Sequence, residues 1–152
     1  MTQQATLASP LGDLTLTEED GAVIQLSWGG QAGPPCTTLL ERAALQLAAY
    51  FEGRLTQFDL PLKPVGSAFQ QSFLTTLCEI PFGETVTYGD LSKTLGRPAQ
   101  AIGQACGANP IPIIIPCHRV LGGSTLGGFS APDGVETKVW LLKHEGAAGL
   151  LI

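Results

Sequence analysis

The spacing of hydrophobic residues changes on either side of one proline-containing segment, residues 59–66, and no other feature constrains the fold as strongly. Before it, residues 1–30 alternate apolar and polar positions around a turn at residues 18–21, which is typical of a β-hairpin. Apolar residues at helical spacing then begin at Leu40. They are followed by Gly53, a residue type suited to the position just beyond a helix. The patterns after the segment are mostly helical, so the segment is interpreted as a linker.

A boundary near Gly66 therefore predicts two domains. Residues 1–66 form an N-terminal α/β domain of antiparallel sheet plus helix that includes the linker, and residues 67–152 form a mostly helical C-terminal domain. The predicted fold class is α+β. A chain of 152 residues can bury a core without disulfides.

Nothing in the sequence indicates a membrane protein or a secreted one. The apolar runs are far shorter than the roughly 18 to 20 residues of a membrane helix. The first four residues carry neither the positive charge nor the apolar stretch of a secretory signal. We therefore expect a cytoplasmic protein that does not bind a membrane.

The cysteines and histidines give no indication of a metal, a disulfide or a cofactor. No CxxC pair occurs among Cys36, Cys78, Cys106 and Cys117. The two histidines, His118 and His144, do not complete a tetrahedral zinc pattern with them. We expect neither a metal nor another cofactor.

The charge distribution indicates where a polyanion could bind. The net charge is −5, yet residues 88–119 contain Lys93, Arg97 and Arg119 against Asp90, which gives 3 − 1 = +2 and leaves −5 − 2 = −7 elsewhere. Affinity for phosphate comes largely from lysine and arginine. A surface for nucleic acid is therefore expected only in and around this stretch.

Two short helices joined by a glycine turn are predicted inside the same stretch. Thr87 can cap a helix that runs to Leu95 and is broken by Gly96, and Pro98 suits the first turn of a second helix that ends near Gly107. This pattern is a candidate helix-turn-helix. An earlier helix, with an apolar face at Phe69, Phe73, Leu74 and Leu77, starts with a capping box at residues 67–70.

The second helix of the pair carries unusually small side chains, at Ala99, Ala101, Gly103, Ala105 and Gly107. Close packing against a neighbouring helix explains them, and insertion into a narrow DNA groove is the alternative. The helix alone favours packing.

A possible reactive thiol follows the apolar run at residues 113–115. Prolines bound this run, which is interpreted as a buried extended segment that presents Cys117 and His118 at its end. A cysteine nucleophile needs a base to form its thiolate, and His118 can act as one. Because neighbours in an extended chain point to opposite sides, their contact is expected to be indirect. An inert core cysteine is the alternative.

The motif Pro-Cys-His-Arg-Val at residues 116–120, preceded by Asn-Pro at residues 109–110, resembles the O6-alkylguanine-DNA alkyltransferase family. The resemblance covers nearly the whole chain. It includes Ser-Pro-Leu-Gly at 9–12, Tyr-Phe-Glu-Gly at 50–53, Ile-Pro-Phe-Gly-Glu-Thr at 80–85 and Trp-Leu-Leu-Lys-His-Glu-Gly at 140–146.

The resemblance implies a protein that repairs double-stranded DNA by accepting the alkyl group of O6-alkylguanine, and of O4-alkylthymine, on its own Cys117. Each molecule reacts once, as a monomer in the cytoplasm that is associated with the nucleoid when bound to DNA. A helix-turn-helix enters the minor groove, and the damaged base is flipped out of the duplex.

The family pattern also assigns site residues. Cys117 is the acceptor, His118 the water-linked base and Glu145 the carboxylate that holds His118. Asn109 braces the turn before the acceptor, and Tyr88 turns the nucleotide out and donates a proton to the departing guanine. The flipped base contacts Val120, Phe129, Ser130 and the supporting Lys138, and the DNA contacts Tyr88, Gln100, Ala101 and Gly103. The positive charge of Arg119 adds this residue to the predicted DNA contacts.

Two single positions depart from the family pattern, as do residues 131–133, which replace a glycine-rich loop with a slightly longer one. Gln100 stands where the family has the arginine that fills the gap left by the flipped base, so weaker DNA affinity or flipping is expected. Phe129 replaces a tyrosine that many relatives have, which leaves the width of the pocket open.

Two other functions are compatible with parts of this pattern. An alkyltransferase-like protein that only recruits other repair factors would lack the acceptor cysteine, so Cys117 argues against it. A Cys-His hydrolase or acyltransferase would need an oxyanion hole, which no motif marks.

Overall fold

The computed structural model describes residues 2–122, 127, 129, 131 and 134–147. The chain divides into two compact units, Met1–Val65 and Gly66–Ile152. An antiparallel sheet with one helix forms the first, and helices dominate the second, so the α+β prediction is confirmed. Within the described residues, no helix combines the length and apolar character needed to cross a bilayer.

A three-stranded antiparallel sheet in the order β1, β2, β3 is the base of the first unit. Its strands are β1 (Thr2–Leu7), β2 (Leu14–Glu19) and β3 (Ala22–Trp28). The predicted hairpin is confirmed: Asp20 and Gly21 connect β2 to β3, with φ values of 50° and 77°. Positive φ at both positions gives the turn a twist that matches the strands.

Helix α1 (Thr38–Phe51) packs on this sheet and ends as predicted. The Thr37 side chain accepts a hydrogen bond from the Leu40 amide at 3.1 Å, and Gly53 follows the helix with φ 79°. Sheet and helix share an apolar core of Ala5, Leu14, Leu16, Val23, Leu26, Leu40, Ala43, Leu47 and Tyr50.

The segment interpreted as a linker is partly structural. The Val23 amide donates to the Pro61 carbonyl at 2.8 Å, and the Lys63 amide donates to the Val23 carbonyl at 2.9 Å. These bonds cover the exposed edge of β3, whose backbone groups would otherwise lack partners on that side. Residues 61–63 therefore belong to the first unit rather than to a free connection.

Helix α2 (Ala68–Cys78) begins the second unit. Ser67 caps it by accepting from the Gln70 amide at 3.1 Å, but the Gln70 side chain donates to the Ala105 carbonyl at 3.0 Å. The predicted capping box is thus wrong in its second half: the Gln70 side chain is directed to the Ala105 carbonyl and accepts no bond from the Ser67 amide. The apolar face is buried at Phe73, Leu74 and Leu77, whereas Phe69 is half-buried.

The predicted pair of helices is confirmed as α3 (Tyr88–Leu95) and α4 (Ala99–Gly107). Thr87 and Asp90 form a reciprocal capping box with two bonds of 3.0 Å, and Gly96 ends α3 in the left-handed conformation. Pro98 occupies the N-cap of α4, one residue before the predicted first turn.

Two-residue strands connect the helix pair to the segment around Cys117. Strand β4 (Val86–Thr87) runs parallel to β5 (Val120–Leu121), with Val86 opposite Val120. A 3₁₀ helix (Cys117–Arg119) precedes β5, and α5 (Gly134–His144) follows it. Because β4 leads directly into α3, this pairing holds the start of α3 beside the cysteine segment.

Candidate functional site

The segment before Cys117 is a buried tight turn. Ile113 has φ 72°, and the Ile115 amide donates to the Ile111 carbonyl at 2.9 Å. An extended run would need partners on neighbouring strands for its buried amides and carbonyls, whereas the turn pairs several of them locally. The prediction of an extended segment at residues 113–115 is therefore wrong in conformation and correct in burial.

Asn109 braces both ends of this turn. Its side-chain oxygen accepts from the Ile111 amide at 3.0 Å, and its side-chain nitrogen donates to the Ile115 carbonyl at 2.9 Å. The residue is buried, so both bonds are shielded from water. Its side chain also acts to lower the pKa of the Cys117 thiol. One amide thus fixes the turn that leads into Cys117.

Cys117 begins the 3₁₀ helix and is only 4% exposed. Burial raises the pKa of its thiol to about 11, although the Asn109 hydrogen bond and the charge of Lys138 act in the opposite direction. At neutral pH the resting group is therefore the thiol, and reaction as a thiolate requires a base.

His118, Arg119 and Glu145 form a buried ion-pair cluster beside this thiol. The His118 Nε2 atom lies 2.8 Å from one carboxylate oxygen of Glu145. Arg119 donates to both oxygens, through Nε at 2.8 Å and Nη2 at 3.0 Å. The side chains of His118 and Glu145 are fully buried, so Glu145 is not the solvated helix-end carboxylate that its sequence position alone favours.

This cluster fixes the tautomer of His118. Glu145, paired with a guanidinium, is an ionised acceptor, so Nε2 of His118 carries the proton and donates it. Burial lowers the pKa of His118, with Glu145 opposing that shift, so the ring is neutral at pH 7. Nδ1 keeps its lone pair, and among the described residues it has no hydrogen-bond partner. His118 is thus arranged to accept a proton at Nδ1.

The assignment of Arg119 to the DNA surface is corrected. The residue is 7% exposed, and besides Glu145 it donates through Nη1 to the Ile80 carbonyl at 2.6 Å. Three of its five N–H groups are thus used inside the protein, and its burial leaves little of the guanidinium at the surface for a phosphate. For residues 88–119, the exposed charge is therefore Lys93 and Arg97 against Asp90, which is 2 − 1 = +1.

Lys138 and Tyr88 lie together on the β5 side of the cluster. Lys138 is fully buried and donates from Nζ to the carbonyl of Val120 at 2.6 Å. Nζ lies 5.8 Å from the ring centroid of half-buried Tyr88. Burial lowers the pKa of Lys138. A Cβ atom at Gly127 would lie 2.8 Å from the Tyr88 ring, so glycine permits this close approach.

Phe129 and Ser130 complete the predicted base-contacting set. The ring of half-buried Phe129 meets the His118 ring edge-on, with centroids 6.5 Å apart. Ser130 lies outside the described residues. The described geometry therefore brings together Cys117, His118, Glu145, Asn109, Lys138, Val120, Tyr88 and Phe129.

Helix α4 presents a bare surface to solvent. Gln100 and Gly103 are exposed and Ala101 is half-buried, whereas Ile102, Ala105 and Cys106 face the interior. A Cβ atom at Gly103 or at Gly107 would meet nothing within 4 Å. The favoured explanation, close packing on another helix, is therefore wrong for these two glycines, and their surface is open to a ligand.

Sequence reasoning missed two contributors to the site. Arg119 holds Glu145, and burial, together with the negative charge that Cys117 carries as a thiolate, raises the pKa of the Cys106 thiol to about 12. The adjacent His-Arg pair directly after Cys117 was the available signal for Arg119. No sequence signal distinguished Cys106 from an ordinary core cysteine.

Family models match both halves of the chain. Residues 68–147 match "6-O-methylguanine DNA methyltransferase, DNA binding domain", and residues 3–64 match "6-O-methylguanine DNA methyltransferase, ribonuclease-like domain".

Individual relatives agree with these matches. A methylated-DNA–protein-cysteine methyltransferase of Mycolicibacterium paratuberculosis is 40% identical over 95% of this chain and 93% of its own. A protein of the same description from Methanosarcina acetivorans is 48% identical over 69% of this chain and 68% of its own.

Solved structures are similar over nearly the full length. The O6-methylguanine methyltransferase of Mycobacterium tuberculosis gives a TM-score of 0.84 at 38% identity, covering 96% of this chain and 93% of that one. A crystal structure titled as the OGT protein of the same organism in complex with DNA gives 0.85 at 40% identity, with 95% and 92% covered.

Proposed function

The chain belongs to the O6-methylguanine DNA methyltransferase family, and on this premise we propose that it repairs DNA by moving the alkyl group of O6-alkylguanine onto Cys117. O4-alkylthymine is a second substrate of the same chemistry. The observation that carries the assignment of Cys117 is its position on a braced turn beside a histidine whose Nε2 is engaged by a carboxylate.

The reaction is a displacement at a saturated carbon. The Cys117 sulfur forms a bond to the alkyl carbon, the bond between that carbon and O6 breaks, and guanine leaves. The thiol proton passes to Nδ1 of His118 through a water molecule, and Tyr88 donates a proton to the departing base. The thioether has no route back to a thiol, so each molecule acts once.

Burial gives this thiol its selectivity. With a pKa of about 11, the unassisted thiolate is scarce at neutral pH, so solvent electrophiles meet a poor nucleophile. A substrate held in the site has His118 within reach as a base. The buried Arg119 and Glu145 keep that histidine oriented while its charge changes.

DNA recognition is proposed to use the exposed surface of α4 in the minor groove. Its small residues allow close approach, and Gln100 fills the space left by the flipped nucleotide. Gln100 contributes hydrogen bonds but no charge. Val120, Phe129, Ser130 and Lys138 form the edge that contacts the flipped base.

The two parts of the chain have separate roles. Residues 67–152 act as the DNA-binding and acceptor domain, and residues 1–66 as a separate N-terminal domain. The protein works as a monomer in the cytoplasm and is associated with the nucleoid when bound to DNA.

The test is intact-mass measurement after incubation with a duplex containing O6-methylguanine, followed by peptide mapping. One methyl group per chain, on Cys117 alone, is expected, and Cys106→Ser should still be labelled whereas Cys117→Ser should not. Label on Cys36, Cys78 or Cys106, or more than one turnover, refutes the proposal. Turnover of a chromogenic ester would indicate a hydrolase.

A further inference from the structure

The second unit has few cations available for DNA. It contains five lysine and arginine residues, and Arg119 and Lys138 are buried and hydrogen-bonded. The exposed ones are Lys93, Arg97 and Lys143, and α4 itself contains no charged residue. Attraction between the α4 surface and phosphates must therefore come from residues beside the helix.

Arg97 lies in the turn directly before α4, and both its backbone amide and its backbone carbonyl are hydrogen-bonded. Its amide donates to the Ser92 carbonyl at 3.2 Å, and its carbonyl accepts from the Ser92 hydroxyl. Gly96 precedes it in the left-handed conformation, and Pro98 follows as the N-cap of α4. The Cα position of Arg97 is thus set by the fold of the helix pair.

The side chain of Arg97 is also held. Its guanidinium carbon lies 4.4 Å from the centroid of the Phe69 ring on α2. Stacking uses the face of the guanidinium and leaves its N–H groups, which point outward in the plane, able to donate. Within the described part of the chain, this guanidinium forms neither an ion pair nor a side-chain hydrogen bond.

We propose that Arg97, held by Phe69 and Ser92, binds a DNA phosphate next to the α4 surface and supplies the attraction that Gln100 lacks. The proposal rests on the proposed function only in taking α4 as the DNA-facing helix. An arginine already fixed in place loses little freedom on binding, so its contact is more favourable than that of a mobile lysine. The exposed Lys143, on α5, carries the same charge but lies outside the helix pair.

The test is the salt dependence of binding to a fluorescent undamaged duplex, measured by anisotropy for four variants. Arg97→Gln should make the slope of log K against log salt less steep by about 0.9. Its loss of affinity relative to the unchanged protein should therefore shrink by roughly 3.5-fold between about 50 and 200 mM salt. Arg97→Lys and Phe69→Leu keep the charge, so they should keep the slope and bind a few-fold more weakly. Lys143→Gln, the matched control for net charge, should leave the slope unchanged.

Two results overturn the inference. An unchanged slope in Arg97→Gln means that the residue does not bind phosphate, and an equal fall in Lys143→Gln means that only net charge acts. Thermal denaturation of each variant identifies losses that come from unfolding, and Arg97→Met, which also removes the charge, then replaces an unstable Arg97→Gln. Methyl transfer from the free base O6-methylguanine tests the proposed function separately, because it requires no DNA contact.

Discussion

The interiors of the two units are built from different chemistry. Among the described residues of the first unit, the only polar or charged side chains that are buried are Thr15 and Thr17. The described part of the second unit buries seven, namely Gln70, Asn109, His118, Arg119, Thr137, Lys138 and Glu145. Apolar burial stabilises a fold directly, whereas buried charges must be paired to offset the loss of hydration. The second interior thus holds reactive groups in place at a cost in stability.

Removal of the carboxylate of Glu145 should have the largest effect on stability. Glu145→Gln leaves the guanidinium of Arg119 buried without its counter-charge, and breaking a buried pair in this way costs about 3–5 kcal/mol. Urea denaturation measures this loss in the free energy of unfolding. The chain has one tryptophan in each unit, so a Trp28→Phe background makes fluorescence report the second unit through Trp140.

A double variant sharpens the same point. Glu145→Leu combined with Arg119→Met removes both charges, and a buried pair replaced by apolar residues of similar volume is often neutral. The double variant should be more stable than Glu145→Gln while transferring no alkyl group. If Glu145→Gln costs less than about 1 kcal/mol, the contrast between the two interiors is wrong.

Shortening an apolar side chain in the interior of the first unit should lower the free energy of unfolding slightly less. Leu47 is fully buried in α1, and Leu47→Ala removes apolar contacts and leaves a cavity, at about 2–4 kcal/mol. In a Trp140→Phe background, Trp28 fluorescence follows the first unit during urea denaturation. Leu45→Ala is the matched control, because Leu45 is 72% exposed on the same helix and should cost less than about 0.5 kcal/mol.

The dependence of stability on pH should differ between the units. The folded pKa of His118 lies below its ordinary value of about 6.5, so below that pH the unfolded chain binds a proton that the folded chain does not. The contribution to stability is fully present above pH 6.5. Below pH 6.5 the free energy of unfolding decreases as the pH is lowered, by at most about 1.4 kcal/mol per pH unit. The first unit contains no histidine.

The two tryptophan backgrounds check this expectation between pH 5 and 7. The Trp140 signal should show the slope, and the Trp28 signal should not. Circular dichroism follows the unfolding of His118→Gln and of His144→Gln at each pH. The dependence of stability on pH should disappear only in His118→Gln. A slope retained in His118→Gln means that other groups cause it.

The smallest change in stability is expected on the α4 surface, which belongs to neither interior. Gln100→Arg adds a charge at an exposed position, so the free energy of unfolding should change by less than about 0.5 kcal/mol. Duplex affinity should nevertheless rise, with the salt slope steeper by about 0.9. Transfer from a free alkylated base should proceed at the unchanged rate. An equal acceleration with the free base means that Gln100 does not act on base flipping.

Local signals predicted the local structure well. The β2–β3 turn follows from Asp20-Gly21, and the limits of α3 follow from Thr87 and Gly96, because each residue acts on its own neighbours. The capping box at residues 67–70 was half wrong, since the Gln70 side chain bonds to Ala105, 35 residues away. The turn at Ile113 was missed for a similar reason, since Asn109 stabilises it from outside the apolar run.

The site was predicted through the family resemblance more than through residue patterns. Nothing near Glu145 in the sequence indicates a buried carboxylate, and its partners lie 26 and 27 positions away. The resemblance did assign Glu145 to His118. It did not indicate that Arg119 is shared between Glu145 and the Ile80 carbonyl, and the charge of that residue suggested DNA instead.

The long sequence separation of the buried cluster has a consequence for protein synthesis. Arg119 joins Ile80, 39 positions before it, to Glu145, 26 positions after it. Until residue 145 has been made, the bonds from Arg119 to its carboxylate cannot close. In a chain that has not folded, the thiol of Cys117 has a pKa near 8.5. An incomplete chain is therefore an ordinary cysteine peptide, open to oxidation and to any electrophile. Selective chemistry begins only when the ribosome has added the carboxylate that closes the cluster.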